Sequence, residues 1–249
     1  MTAERVKLIE PPLREEWSPE QVSGWLLETH GLELSHERIY QHIWDDKRAG
    51  GDLYTHLRRH GRKYQRRSNG KTSRGQIKNR ISIDDRPAEV DAKSRIGDWE
   101  IDTVIGKGLS YALVTIVERG TQFTFSAQLS GKSAEEVTAA TIELLLPYRA
   151  ALCTIIADNG KEFAYHKQIT AALGATVYFA HPYHSWERGL NENTNGLLRQ
   201  YWPKCTDFKQ VSQEEVTLVV IKLNNRPRKT LGYKTPAQLM QNYLAAQAA

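Results

Sequence analysis

The stretch "WEIDTVIGKGLSYALVTIVERGTQFTFSAQLS" (Trp99–Ser130) contains three runs rich in β-branched and aromatic residues. The runs cover 99–106, 110–118 and 121–130. Only Lys107-Gly108-Leu109 and Arg119-Gly120 separate them. Because breaks this short join antiparallel neighbours, the stretch predicts a three-stranded meander.

After the meander, strands alternate with helices. Ser133-x-x-Glu136 is a capping box for a helix that ends before Pro147. "LCTIIA" (152–157) then predicts a fully buried strand, and "TVYFA" (176–180) predicts one more. Helices are predicted near 165–173, 186–201, 212–224 and 235–246. The order β-β-β-α-β-α-β-α predicts an α/β fold, with a mixed five-stranded sheet covered by helices.

The sequence before the meander is helical. Ser18-Pro19-Glu20-Gln21 is a strong helix start, and Ser35 can cap a second helix. Two short helices joined by a tight turn match a helix-turn-helix, although many such pairs bind no DNA. If this pair does bind, the polar residues of the second helix face bases. The candidates are His36, Arg38, Gln41 and His42. A third helix is predicted at 52–59.

A basic run, "RRHGRKYQRRSNGKTSRGQIKNR" (58–80), separates the helical region from the strands. It holds ten Lys or Arg and no acid, with Arg66 and Arg67 at its centre. A solvated linker is one interpretation, but a linker does not need ten unbalanced charges. Such a run attracts phosphates, so nucleic-acid contact is the favoured interpretation.

Bulk composition excludes several classes of protein. The chain has 249 residues, 40% of them hydrophobic, and a net charge of +5. No apolar run approaches the roughly 18–20 residues that span a bilayer, and the first residues lack the apolar centre of a secretory signal. Cys153 and Cys205 fit no metal-ligand spacing and predict reduced thiols. We therefore expect a cytoplasmic protein with no membrane partner.

Two aspartates stand at unusual places in the predicted strands. Asp102 interrupts the first strand, and Asp158 ends the fourth in "TIIADNGKEF" (154–163). Asp158 can be a turn former, since Asp-Asn-Gly favours turns. Alternatively, if these strands are neighbours, both carboxylates meet at one sheet edge and need a cation. Asp98 and Glu100 share a face with Asp102, and we expect them on the wet side of an edge strand.

Three blocks together carry a resemblance to a known family. "WEIDTVIG", "ADNGKEF" and "HPYHSWERGLNENTNGLLRQYWPK" resemble the signature blocks of DDE-type transposases and the retroviral integrase core. With "NNRPRKTLGYKTP" (224–236), the last block is similar to the insertion-sequence transposase family numbered thirty. The resemblance covers nearly the whole chain and implies an RNase H-like fold. It also implies end cleavage and strand transfer on double-stranded DNA, both element ends and target.

The resemblance assigns the catalytic and metal-binding acids as Asp102, Asp158 and Glu192. Thirty-three residues lie between the last two, and Arg199 follows Glu192 by two helical turns, where it can reach a DNA phosphate. Glu187 is the competing third acid. Hard oxygen ligands select Mg²⁺, with Mn²⁺ as a substitute, and phosphodiester transfer predicts two ions. Since two ends must be joined, we expect a homo-oligomer, at least a dimer on DNA.

Other residues near the third block carry weaker expectations. Trp186 is predicted in the core, with a base-stacking platform as the alternative. His181 and His184 are predicted as polar loop residues rather than a metal pair. Asn191, Asn193 and Asn195 either contact DNA or order the site. "NNRPRK" either lines a DNA groove or forms a loop at Pro227.

The predicted domains are a helix-turn-helix segment at 1–60, a basic linker at 61–93, and the catalytic core with C-terminal helices at 94–249. Three alternatives remain open: a DNA-binding regulator with a dead nuclease-like domain, a nuclease that cuts without joining, and a truncated or inactive copy that only binds DNA.

Overall fold

The computed structural model describes residues 1–58, 77–93, 95–182 and 184–248. The chain separates into two compact units. The helical unit comprises Met1–Gly70 and Asn225–Asn242, and the core unit comprises Lys71–Asn224 and Tyr243–Ala249. This grouping differs from the three consecutive domains proposed above, because residues 225–242 belong with the N-terminal helices.

The described α-helices are α1 Ala3–Arg14, α2 Pro19–His30, α3 His36–Arg48, α4 Ala88–Ala92, α5 Ala134–Leu145, α6 His166–Leu173, α7 Gly189–Tyr201, α8 Gln213–Asn224 and α9 Pro236–Ala248. The strands are β1 Ile81–Ser82, β2 Asp98–Ile105, β3 Ala112–Glu118, β4 Thr124–Leu129, β5 Thr154–Ala157 and β6 Thr176–Phe179. Short 3₁₀ turns link several of them, including Leu53–His56, where a third α-helix was predicted. None of the described helices has the length and apolar character needed to cross a membrane.

The core unit is built on one mixed sheet with strand order β1-β6-β5-β2-β3-β4. Strands β2, β3 and β4 form the predicted antiparallel meander, and β5, β6 and β1 extend it in parallel. The α/β class and the mixed sheet are therefore confirmed. The count of five strands was wrong for the described residues, since β1 pairs two residues with β6. Strand β1 has only two residues, which is too short to show the alternation of apolar and polar side chains by which a strand is recognised.

Helices cover both faces of this sheet. Helices α7 and α8 bury Leu197, Leu198 and Val220 against Val104 and Leu113 of the meander. On the opposite face, Trp99 of β2 stacks on Phe125 of β4. Apolar area buried on both faces, at about 25 cal/mol per Å², is the main favourable term holding a central strand. Because β2 lies between β5 and β3, it is fixed on both sides.

The helical unit contains the predicted helix pair. In the capping box of α2, Ser18 Oγ accepts from the Gln21 backbone N–H at 3.2 Å and Gln21 Oε1 accepts from Ser18 N–H at 2.9 Å. Gly31 ends the helix in the left-handed region, at φ 59°. Helix α1 was not predicted, because it contains two consecutive prolines, Pro11 and Pro12. Burial of its apolar side chains in the unit's core overrides that penalty.

Residues 225–242 pack on α2 and the turn before it. The Arg226 guanidinium pairs with Glu16 at 2.8 Å and is 3% exposed. Gln21 Nε2 donates to the Pro227 carbonyl at 2.9 Å. Gly24 has no room for a Cβ, because the Tyr233 ring lies directly against it. Of the two interpretations of "NNRPRK", the structure favours a packed loop that belongs to the helical unit.

Candidate active site at the ends of two parallel strands

Asp102 and Asp158 come from neighbouring strands. Strand β2 pairs in parallel with β5, and the register matches Glu100 with Ile156. Two residues further along each strand stand Asp102 and Asp158. The parallel arrangement therefore brings both carboxylates to one sheet edge, as predicted if the two strands are neighbours.

Hydrogen bonds orient both carboxylates. Asp102 Oδ1 accepts from the Thr103 backbone N–H at 2.8 Å, and its Oδ2 accepts from Asn195 Nδ2 at 3.1 Å. Asp158 Oδ1 accepts from the Gly160 backbone N–H at 2.6 Å, so the turn interpretation of Asp-Asn-Gly also holds. The other oxygen of Asp158 faces the site. The Asp158 carboxylate thus stabilises the turn with one oxygen and faces the candidate site with the other.

One arginine joins the two aspartates. Arg188 Nη1 lies 3.1 Å from Asp102 Oδ2, and Arg188 Nη2 lies 3.7 Å from Asp158 Oδ2. Arg188 is 8% exposed and ends the 3₁₀ turn Ser185–Arg188 that precedes α7. A single guanidinium therefore supplies the cation that two adjacent carboxylates require.

The protonation equilibria of these groups are coupled. Burial raises the pKa of Asp102; the Arg188 charge opposes this rise, and the Asp158 charge adds to it. Burial lowers the pKa of Arg188, but Asp102 and Asp158 raise it by more, so the net shift is upward. The guanidinium accordingly stays charged between its two partners.

An amide network from α7 orders this edge. Asn195 donates to Asp102, and its Oδ1 accepts from Thr115 Oγ1 at 2.9 Å. Asn191 is fully buried, and its Oδ1 lies 3.3 Å from the same hydroxyl, whose single proton the two amide oxygens share. Of the two roles considered for these asparagines, ordering the site is the one that the contacts favour. Asn193 is exposed and takes no part in the contacts described here.

Glu192 lies in the first turn of α7 and is half-buried. Within the described ranges, no three His, Cys, Asp or Glu side chains form a group that could hold a metal ion. The structure thus brings two of the three predicted acids together, with Arg188 between them. Glu187 is engaged elsewhere, since its carboxylate accepts from His181 N–H at 2.8 Å and lies 2.9 Å from His181 Nδ1.

Comparison with known proteins gives close relatives. The chain is 49% identical to the "Transposase for insertion sequence element IS4351" of Bacteroides fragilis, over 90% of this chain and 69% of that protein. It is 39% identical to the "Transposase InsI for insertion sequence element IS30A" of Escherichia coli K12, over 96% of this chain and 65% of that protein. This chain belongs to the IS30 family of insertion-sequence transposases.

No protein-family model matches the chain. Among solved structures, the catalytic core domain of BIV integrase matches 61% of this chain and 99% of its own length, with 19% identity and a TM-score of 0.48.

This chain carries a second acidic cluster on the same face of β2. Asp98 and Glu100 are each 1% exposed, so the expectation of a wet edge strand was wrong. Strand β2 is central, and each acid pairs with an arginine, of which Arg119 is buried and Arg95 is partly exposed. Arg95 pairs with Asp98 at 3.0 Å, and Arg119 pairs with Glu100 at 2.5 Å. Arg95 and Arg119 stand close to the strands in sequence and were the available signal.

Trp186 lies outside the core. It is 68% exposed, so the core prediction was wrong. Its ring and that of His184 are in an edge-to-face arrangement, with the two ring centroids 4.4 Å apart. The 3₁₀ turn has few residues and directs Glu187 and Arg188 to polar partners, which leaves Trp186 facing outward. The base-stacking alternative stays a prediction. His181 lies 2.9 Å from both Asp84 and Glu187, which fits the polar-loop prediction rather than a metal pair.

Arg199 has a role that the spacing did not indicate. Its Nη2 donates to the Ile105 carbonyl at 2.8 Å, and its Nη1 lies 3.4 Å from the Trp202 carbonyl and 3.3 Å from that of Pro203. Burial lowers the pKa of Arg199. The residue fastens the end of α7 to the end of β2. Its contact with a DNA phosphate stays a prediction.

The predicted recognition helix is α3. His36, Arg38 and Gln41 are exposed on it, and Arg38 Nη1 donates to Gln41 at 2.8 Å. His42 is half-buried, and its Nε2 lies 3.1 Å from Glu10 of α1, which makes it the least accessible of the four. Base contacts by these residues stay predictions. Arg66 and Arg67 lie outside the described residues.

Sequence reasoning missed one residue of the site, Arg188. It stands in the quoted block "HSWERGLNENTNGLLRQYW", but the search there was for a third acid. A buried pair of carboxylates requires a nearby positive charge. That requirement was a signal for an arginine in this block.

Proposed function

We propose that this protein is a DDE-type transposase that cleaves the ends of an insertion sequence and joins them to target DNA by phosphodiester transfer. One observation carries the proposal: Asp102 and Asp158, from adjacent parallel strands, converge on a single positive group. Family membership supports the same reaction, because the relatives are named as transposases of insertion sequences.

The donor set of this edge fits a divalent metal ion. Carboxylate oxygens are hard ligands of the kind that Mg²⁺ and Mn²⁺ prefer. Asp102 and Asp158 already share one cation, and Glu192 in the first turn of α7 is the proposed third ligand. When bound here, Mg²⁺ or Mn²⁺, in our proposal two ions, supplies charge stabilisation for the attacking and departing oxygens of a phosphodiester.

The residues of the chain hold these ligands in place. Asp102 is rooted in the central strand β2, so its backbone is fixed on both sides. Asn195 orients the Asp102 carboxylate, and the Gly160 N–H orients that of Asp158. Preorganised ligands lose little conformational freedom when the reaction begins. The supporting amides are therefore part of the proposed machinery.

DNA is the proposed partner of both units. In the helical unit, the exposed polar residues His36, Arg38 and Gln41 of α3 are the proposed contacts to bases, together with the less accessible His42. In the basic run, Arg66 and Arg67 are the proposed contacts to phosphates. Arg199 is proposed to reach a phosphate at the core unit. Because two DNA ends take part, we propose at least a dimer on DNA.

The test uses the purified full chain and labelled DNA that carries the repeats flanking its own coding sequence. Wild type is incubated with Mg²⁺, with Mn²⁺ and with chelator, and nicked and joined products are counted. We expect products only with a metal ion. Asp158→Asn and Glu192→Gln should each abolish them, since each removes a proposed ligand.

Two control variants make the result specific. Glu135→Gln makes the same isosteric change at an exposed position of α5, and it should leave the products unchanged. Glu187→Gln tests the competing acid. Full activity of Glu192→Gln together with loss in Glu187→Gln would overturn our choice of third acid. DNA binding without any cutting would favour the inactive-copy alternative, and cutting without joining would favour a nuclease.

A further inference from the structure

We propose that Arg188 is a positioning residue that holds the Asp102 and Asp158 carboxylates together and competes with divalent metal ions for them. This inference rests on the proposed function, because it concerns the same two acids. The family resemblance assigns roles to three acidic residues and does not assign one to Arg188. The proposal comes from the place that its guanidinium takes.

The first support is geometric. The guanidinium reaches one oxygen of each aspartate, at 3.1 Å for Asp102 and 3.7 Å for Asp158. Those are the oxygens that we expect a shared metal ion to use, since Oδ1 of each aspartate already accepts a backbone N–H, while Asp102 Oδ2 accepts a side-chain amide N–H from Asn195. A guanidinium and a metal ion therefore compete for the same lone pairs.

The second support is electrostatic. Two charged carboxylates at one edge repel each other. A positive charge between them removes the repulsion and keeps both side chains directed at one point. Arg188 is 8% exposed, so solvent screens its attraction to the aspartates less than at the surface.

The third support is the location of Arg188 in the chain. It lies between a 3₁₀ turn and the first residue of α7, with φ −125° and ψ 44°, outside helical geometry. The preceding Glu187 is fixed by two hydrogen bonds to His181. The backbone is thus anchored while the long arginine side chain has several rotatable bonds. A metal ion can displace the guanidinium through side-chain rotation alone.

The test measures Mn²⁺ binding, not DNA chemistry. The full chain is stripped with chelator and titrated with Mn²⁺, and free Mn²⁺ is read by electron paramagnetic resonance. Because one charge within about 4–6 Å shifts an ionic equilibrium by roughly one to three logarithmic units, we expect Arg188→Gln to tighten Mn²⁺ binding about tenfold or more. The same variant should melt at a lower temperature in chelator, and Mn²⁺ should restore its melting temperature.

Matched variants identify which idea fails. Arg149→Gln removes one exposed positive charge from the same unit and should leave the affinity unchanged. Asp102→Asn and Asp158→Asn should each weaken binding strongly. If binding depends on both aspartates but Arg188→Gln leaves it unchanged or weakens it, the Arg188 proposal is wrong and the metal site stands. If binding ignores both aspartates, the proposed metal site fails, and the Arg188 proposal fails with it.

Arg188→Lys decides the question if Arg188→Gln does not fold, as judged by circular dichroism. Lysine keeps the charge but has no fork that can reach two carboxylates at once. We expect Mn²⁺ binding tighter than in wild type but weaker than in Arg188→Gln, since one of the two aspartates is released. Unchanged or weaker binding in a folded Arg188→Lys would overturn the proposal.

Discussion

Two arginine–carboxylate clusters stand side by side on strand β2, and they differ in how completely they are closed. In the inner cluster, Glu100 is 1% exposed and pairs with Arg119, which also donates to the Val90 carbonyl at 3.2 Å. In the outer cluster, the side chains of Asp102 and Arg188 are 22% and 10% exposed. Two residues along the same strand thus separate a sealed ion pair from one that is open to solvent.

This difference in exposure shows that β2 carries both a buried ion pair and a more accessible ion pair at the candidate active site. The inner cluster is fully desolvated, so each charge depends on its partner, and loss of one partner leaves an uncompensated charge. The outer cluster keeps an accessible side, which the proposed exchange of Arg188 for a metal ion requires. Burial of the first cluster helps to fix the strand that positions the second.

The largest expected effect is on the inner cluster. Arg119→Ala leaves Glu100 buried without its cation, so we expect a loss of about 3–5 kcal/mol in the free energy of unfolding. Urea denaturation measures it. The double variant Glu100→Leu/Arg119→Met should recover most of the loss, because both charges are removed together. A cost below about 1 kcal/mol for Arg119→Ala would mean that the two clusters do not differ as described.

Asp102→Asn is expected to lower activity strongly while changing the stability of the fold only slightly. Removing one of two repelling carboxylates should cost little stability, and strand transfer should fall by about 100-fold or more, since even supporting residues of metal sites contribute roughly 10–100-fold. Strand-transfer rates and denaturation curves of the same preparation measure both effects. A variant that loses stability in proportion to activity would assign Asp102 to the fold instead.

Asn195→Ala tests the support of the outer cluster. Its amide orients Asp102 through a 3.1 Å hydrogen bond. We expect strand transfer to fall about 10–100-fold, the usual cost of losing a second-layer contact at a metal site. Exposed Asn193→Ala on the same helix is the matched control and should have no effect. Equal losses in both variants would argue for a general effect on α7.

The His181 contacts predict a pH dependence of stability. Hydrogen bonding to Glu187, with the Glu187 and Asp84 charges, raises the pKa of His181. A group whose pKa is raised on folding stabilises the fold below its ordinary pKa, and the contribution disappears as pH rises through the folded value. His181→Gln should therefore lower the melting temperature more at about pH 6 than at about pH 9. Equal shifts at both pH values would contradict the charged pairing.

The smallest expected effect on stability is at Trp186. Because its side chain is 68% exposed, Trp186→Ala should change the free energy of unfolding by no more than about 0.5 kcal/mol. If it is a base-stacking platform, affinity for DNA with an unpaired end should fall by the roughly 1–3 kcal/mol typical of one stacked base. Trp186→Phe should retain most of that affinity. Unchanged affinity in Trp186→Ala would remove the platform interpretation.

Sequence reasoning predicted the elements whose signals are local. The meander followed from β-branched runs with short breaks, and α2 followed from its capping box. It also predicted that Asp102 and Asp158 meet if their strands are neighbours. It missed helix α1 and the burial of Asp98 and Glu100, because packing against distant residues decides both. It missed Arg188 because a sequence pattern does not show in which direction a long arginine side chain points.

By itself, the sequence determined the class of fold, the alternation of strands and helices, and one aspartate within a strand and another just after a strand, since these depend on periodicity, turn chemistry and chain order. Only the tertiary structure decided which charges are buried, which cation each carboxylate meets, and that residues 225–242 join the helical unit. The physical reason is range. Backbone preferences act over a few residues, whereas the partners of a buried charge come from any part of the chain that the fold brings near, as Arg188 comes to Asp102 across 86 residues of sequence.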